Sequence, residues 1–123
     1  MAKKILLVED EELIYSLLEK KLTQAGYEVT VATNGEEGLK KIKEVSPDII
    51  LLDIIMPQKD GFSVMEEIRK DKELQRIPII VISNSGQPVE LNRAKELGAK
   101  DWIIKTDFDP QEIIEKVKKY LNE

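Results

Sequence analysis

The sequence predicts an α/β domain built around a parallel β-sheet. Three observations lead there. The chain has 123 residues, which suits one domain, residues 1–123, and leaves no room for a second. Five short runs of β-branched residues and leucine recur along it, at 5–8, 29–32, 49–52, 79–82 and 102–104. Each run is followed by a longer stretch of helical period, and parallel neighbours need such helical crossovers.

The run 5–8 is continuously apolar, as expected of a strand covered on both faces. Leu13, Leu17, Leu18 and Leu22 then predict one apolar stripe of a first helix, which Gly26 should end. In 29–32, Val29 and Val31 alternate with Thr30, which places that strand nearer a sheet edge. Asn34 with Glu37 three residues on predicts a capped helix start. Leu39, Ile42 and Val45 supply that helix's stripe, and Ser46-Pro47 stops it. The runs 49–52 and 79–82 are again apolar throughout. Between them, Val64, Met65 and Ile68 mark a third helix after Gly61. Pro88 suits a first helical turn, Leu91, Ala94 and Leu97 follow, and Gly98 ends the helix. The fifth run has polar ends, Asp101 and Lys105, which suits the other edge. Asp109-Pro110 opens a last helix whose Ile113, Ile114, Val117 and Leu121 should face inward, with Lys116, Lys118 and Lys119 as a solvated face.

Composition narrows the chemistry. The chain has no Cys and no His. That excludes structural zinc, haem, iron–sulfur clusters, a thiol nucleophile and histidine acid–base catalysis. Lys and Arg total 19 against 24 Asp and Glu, a net charge of −5, which weighs against non-specific binding to nucleic acid or anionic membranes. The first apolar run is cut short by Glu9-Asp10, unlike a signal peptide, and no run approaches the ~20 apolar residues of a membrane span. A cytoplasmic protein is therefore expected.

In open parallel sheets, binding sites lie outside the carboxyl ends of the strands. There the first strand ends in Glu9-Asp10, the third in Asp53, the fourth in Ser83-Asn84-Ser85 and the fifth in Lys105. Alone, each has a plain reading: a helix cap, a turn hydroxyl, a solvated cation. Together they are complementary. Three converging carboxylates would repel one another, and Mg²⁺, which favours carboxylate and phosphoryl oxygens, would relieve the repulsion. Lys105 can act as a point charge on a phosphoryl oxygen, and Ser83 can donate a hydrogen bond to another. Asp53 can carry a phosphoryl group as an acyl phosphate, so the group suits phosphoryl transfer.

The same residues carry a family likeness. Glu9-Asp10, Asp53, Met56-Pro57 with Gly61 beyond, Ser83, and the stretch from Gly98 through Asp101-Trp102-Ile103-Ile104-Lys105 fall in order and spacing. In them the chain resembles the receiver domain of two-component response regulators, over essentially its whole length. The resemblance implies a doubly wound, flavodoxin-like sheet of five parallel strands in the order 2-1-3-4-5, with two helices on one face and three on the other. It implies that Asp53 accepts a phosphoryl group from a histidine kinase or phosphotransfer protein. Mg²⁺ would be held by Asp10, Asp53, the backbone carbonyl of Ile55 and, through water, Glu9. Lys105 and Ser83 would contact the phosphoryl group, and Trp102 would move with Ser83 as the switch aromatic. With no output domain in these residues, the signal would pass to a downstream protein or onward through a phosphorelay. Three positions depart from the family's common pattern: Thr106 replaces a proline after Lys105, Asn84 replaces a smaller residue, and Trp102 replaces Tyr or Phe.

Other readings compete. A magnesium-dependent aspartyl-phosphate phosphatase would need an acid–base carboxylate two residues after the nucleophile, where this chain has Ile55. A flavin carrier of similar topology would set its phosphate against Glu9-Asp10-Glu11-Glu12. A receiver-like scaffold, silent or designed, would keep the residues without using them.

Overall fold

The computed structural model describes residues 2–122 apart from Pro57, Ser85 and Phe108, so two residues of the pattern above, Pro57 and Ser85, lie outside the described residues. In chain order the elements are β1 (Lys4–Val8), α1 (Glu12–Gln24), β2 (Glu28–Ala32), α2 (Gly35–Val45), β3 (Ile49–Asp53), α3 (Gly61–Arg69), β4 (Ile79–Ser83), α4 (Pro88–Glu96), β5 (Asp101–Ile104) and α5 (Pro110–Leu121). Short 3₁₀ turns cover Leu74–Arg76 and Lys105–Asp107. All four strand pairings are parallel, in the order β2-β1-β3-β4-β5 that the resemblance implies. Among the described residues, no helix is long and apolar enough to cross a membrane.

Side chains alternate across a strand, so each apolar run feeds both faces of the sheet. Leu6, Val8, Ile50, Leu52 and Val81 pack under Ile42, Val64, Met65, Ile68 and Ala94 of α2, α3 and α4. Ile5, Leu7, Leu51, Ile80, Ile82 and Ile103 pack under Leu18, Leu22, Ile113, Ile114 and Val117 of α1 and α5. This is the three-and-two division of helices, and it explains why β1, β3 and β4 read as unbroken apolar runs.

The helix boundaries follow local chemistry. Asn34 Oδ1 accepts the Glu37 N–H at 2.8 Å, and Glu37 Oε1 accepts the Thr33 N–H at 2.8 Å. Asp60 Oδ1 caps α3 by accepting the Ser63 N–H at 2.8 Å. Gly26 and Gly98 follow α1 and α4 as expected, both with positive φ.

Two expectations are corrected. Leu13 is 88% exposed and Leu17 is 37% exposed. The inward stripe of α1 is Ile14, Leu18 and Leu22, with Tyr15 beside it. Buried Leu18 sets the phase: Ile14 lies one helical repeat before it, whereas Leu17 lies about 100° round the helix. The second correction is Lys116, which is not free in solvent. Its Nζ donates to Asp101 Oδ1 at 3.0 Å and to the Trp102 carbonyl at 2.7 Å. Tyr120 Oη donates toward the same corner, 3.1 Å from both Asp101 Oδ2 and the Lys100 carbonyl. These bonds staple α5 to the edge strand β5.

The register puts the strand ends level. Val8 lies beside Leu52 and Ala32, Asp53 beside Ile82, and Ser83 beside Ile104. The residues that follow β1, end β3 and β4, and follow β5 therefore come side by side.

Candidate functional site

At this edge Glu9 and Asp53 are buried and Asp10 is exposed. Lys105 reaches in from the end of β5 with only 6% of its side chain exposed. Its Nζ lies 2.8 Å from Asp53 Oδ2, 3.1 Å from Glu9 Oε2 and 2.9 Å from Glu11 Oε1. Backbone groups hold two of the carboxylates from behind. The Glu11 N–H donates to Glu9 Oε2 at 2.9 Å, and the Ile55 N–H donates to Asp53 Oδ1 at 3.1 Å.

Gly61 makes the placement of Asp53 possible. A Cβ at that position would stand 2.5 Å from the Asp53 carbonyl oxygen and 2.8 Å from the Ile54 Cα. The start of α3 thus lies backbone to backbone on the turn after β3, and the Gly61 N–H donates to the Ile54 carbonyl at 2.8 Å.

The cluster carries more negative charge than one lysine neutralises. Burial pushes the Glu9 carboxyl up to about 7, and the Asp53 charge acts in the same direction. Burial likewise raises Asp53 above its ordinary value, against the pull of Lys105. Burial opposes the charge on Lys105, yet Asp53, Glu11 and Glu9 outweigh it and hold the ammonium well above the usual lysine range. Glu9 Oε1 stands 3.0 Å from Lys105 Nζ, but no donor meets it in hydrogen-bonding geometry. A buried carboxylate oxygen without such a donor is costly.

Carboxylate oxygens of Glu9, Asp10 and Asp53 all lie within 4.8 Å of one another. An all-oxygen, acidic donor set with an unsatisfied buried oxygen fits a hard divalent cation that retains part of its water shell, such as Mg²⁺.

The structure therefore gathers Glu9, Asp10, Asp53 and Lys105; Ile55 touches the group through its N–H on Asp53 Oδ1, and its side chain stays exposed. It does not bring the Ser83 hydroxyl to Lys105. Ser83 is buried at the end of β4, but its Oγ accepts the Gly86 N–H at 3.0 Å and donates to Glu90 Oε1 at 3.3 Å. Trp102 stands apart on β5, 40% exposed. No cis peptide occurs among the described residues, so the Lys105–Thr106 bond is trans.

Two participants escaped the sequence reading. Glu11 sits in the acidic run beside Glu9-Asp10, where that run itself was the available signal. Glu90 carries no sequence signal beyond its place in the first turn of α4.

A model of the family described as response regulator receiver domain matches residues 5–118. The chain is 40% identical over 120 residues to the chemotaxis protein CheY of Thermotoga maritima, covering 97% of this chain and 98% of that one. It is also 40% identical over 121 residues to the alkaline phosphatase synthesis transcriptional regulatory protein PhoP of Bacillus subtilis, covering 98% of this chain and 49% of PhoP. The chain spans about half the length of the transcriptional regulators it matches. Among solved structures, the receiver domain of a Pseudomonas aeruginosa sensor histidine kinase superposes with a TM-score of 0.90 at 27% identity, over the whole of both chains. That domain was crystallised with a magnesium ion coordinated in its active site cleft.

Proposed function

This chain belongs to the response regulator receiver domain family, and from that premise we propose that Asp53 is its phosphoacceptor. Receiver domains are signalling switches. In this reading residues 1–123 are one such switch, and the donor is a histidine kinase or phosphotransfer protein, with which the absence of histidine from these residues agrees. An Asp53 Oδ attacks the phosphorus of a phosphohistidine. The P–N bond breaks, the imidazole leaves, and an acyl phosphate remains on Asp53.

The observation that carries this reading is the convergence of Lys105 on Asp53 at 2.8 Å, beside two further carboxylates that need a cation. Asp10 and Asp53 would hold Mg²⁺ directly, with the Ile55 carbonyl, and Glu9 through water. When bound, the cation supplies positive charge against the phosphoryl oxygens. Lys105 exchanges its carboxylate partners for a phosphoryl oxygen, and Ser83 donates to another after rotating. Trp102 follows Ser83 inward and alters the surface offered to a downstream protein. The magnesium-bound neighbour supports the choice of metal. The phosphatase reading gains nothing from the geometry, since Ile55 occupies the place of the acid–base group.

The test is incubation with acetyl phosphate and Mg²⁺ followed by intact mass. One phosphoryl group should add to the wild type, none without Mg²⁺, and none to Asp53→Asn. No addition to the wild type would favour a silent scaffold. Unchanged addition to Asp53→Asn would overturn the assignment of Asp53.

A further inference from the structure

The two ends of α4 are tied by different chemistry. Its C-terminal half is fastened to α3. Arg93 Nη2 lies 3.3 Å from Glu66 Oε1, the Arg93 guanidinium sits 4.3 Å above the Phe62 ring, and Arg69 Nη1 donates to the Glu96 carbonyl at 3.0 Å. Among the described residues, no such bond ties its N-terminal turn to α3. Gln87, at the N-cap, makes no side-chain capping bond. A glutamate in the first turn commonly reaches back to the N-cap N–H. Glu90 instead takes the Ser83 hydroxyl, at 3.3 Å.

Gly86, between Ser83 and α4, lies close against β5. Gly86 has φ +67, and a Cβ there would meet Ile104 Cδ1 at 2.5 Å. Its N–H completes the pair of bonds on Ser83 Oγ. Ser83 Oγ thus gives its one proton to α4 and takes one from the loop before α4.

We propose that Glu90 is a positioning residue that holds the Ser83 hydroxyl away from Asp53, so that Ser83 reaches a phosphoryl group only by releasing the first turn of α4. The proposal rests on the reading of Asp53 as phosphoacceptor. A hydroxyl has one proton, and it cannot serve Glu90 and a phosphoryl oxygen together. Each state of the hydroxyl therefore corresponds to a state of the α4 N-terminus, while Arg93 and Arg69 keep the far end of the helix in place as a pivot. A phosphoryl group that competes for the proton must overcome the Glu90 bond, and its apparent affinity is lowered by that factor.

Beryllofluoride, a mimic of the phosphoryl group, is titrated with Mg²⁺ into the full chain and followed by amide NMR. Glu90→Ala should bind it about fivefold more tightly than the wild type, the scale of one modest charge-assisted hydrogen bond. Glu90→Gln, whose amide oxygen can accept the same proton, should return to within twofold of wild type. In a Ser83→Ala background, Glu90→Ala should change nothing. Equal tightening in both backgrounds would show that Glu90 acts other than through Ser83, and no tightening in either would show no latch. Both results overturn the proposal while leaving Asp53 in its role. Failure of the wild type to take up the mimic would overturn the Asp53 reading, and the latch with it.

Discussion

The ammonium of Lys105 lies 2.8 Å from Asp53 Oδ2, across a sequence separation of 52 residues. Its charge offsets those of two buried carboxylates, Glu9 and Asp53. Lys105→Met should therefore cost about 3 kcal/mol when measured without Mg²⁺, because breaking a buried pair leaves uncompensated charge. Mg²⁺ should restore more stability to this variant than it adds to the wild type. Urea unfolding with and without Mg²⁺ measures both, and an equal Mg²⁺ increment in the two proteins would contradict the prediction.

Gly61→Ala should destabilise the protein by about 2 kcal/mol, the scale of overpacking against a neighbour that cannot yield. The neighbour is the backbone of the Asp53–Ile54 turn. The variant should also be phosphorylated more slowly, since relief of the clash moves the acceptor. A variant matching the wild type in both urea midpoint and phosphorylation rate would show that the turn yields freely.

The staple on β5 should be pH-dependent. Partial burial works to raise the Asp101 carboxyl, but Lys116 and the Trp102 N–H hold it below its ordinary value. A depressed carboxyl contributes stability that is present above its unfolded value, near 3.8, and lost as pH falls through the folded one. Lys116→Met should cost about 1 kcal/mol at pH 7, as for a partly buried ion pair. The gap to wild type should close in strong acid. A gap of the same size at both pH extremes would mean that Lys116 acts through packing alone.

On α1, Leu13→Ser should change stability by less than about 0.5 kcal/mol, whereas Leu18→Ala should cost about 3 kcal/mol. Chemical denaturation of the two variants checks the phase of the helix directly. Comparable losses would return Leu13 to the core.

Trp102 is the only tryptophan in the chain, so its emission reports one place. If it turns inward as Ser83 moves, Mg²⁺ with beryllofluoride should shift the emission, and Asp53→Ala should abolish the shift. An unchanged spectrum with the mimic bound would remove Trp102 as the switch aromatic and leave the Asp53 chemistry intact.

The architecture was legible because alternation of apolar runs with helical stretches admits few solutions. The caps at Asn34 and Asp109 were legible because capping is local. The strand ends pointed to Glu9, Asp10, Asp53 and Lys105 because a parallel sheet brings the ends of its strands together. Strand order came from the family likeness, since apolar patterning alone does not distinguish neighbours. What the sequence concealed was the azimuth of α1 and the partners of polar side chains. Four leucines outvoted Ile14 and Tyr15, although burial depends on helix phase and not on leucine content. Lys116 read as solvated because nothing local signals a carboxylate and a carbonyl 14 or 15 residues earlier on the adjoining strand. Glu90 was hidden for the same reason: its partner belongs to the preceding strand.

Glu9 and Lys105 meet across a separation of 96 positions in a chain of 123. Closure over such distances is slow in folding, and parallel sheets depend on it. A fragment that begins after Glu9 or stops before Lys105 lacks one of the pair, and a chain still emerging from the ribosome has not yet supplied Lys105. On the reading of Asp53 as phosphoacceptor, the complete site forms only in a folded chain, and nascent or truncated copies without Lys105 should take up less phosphoryl group than the finished molecule.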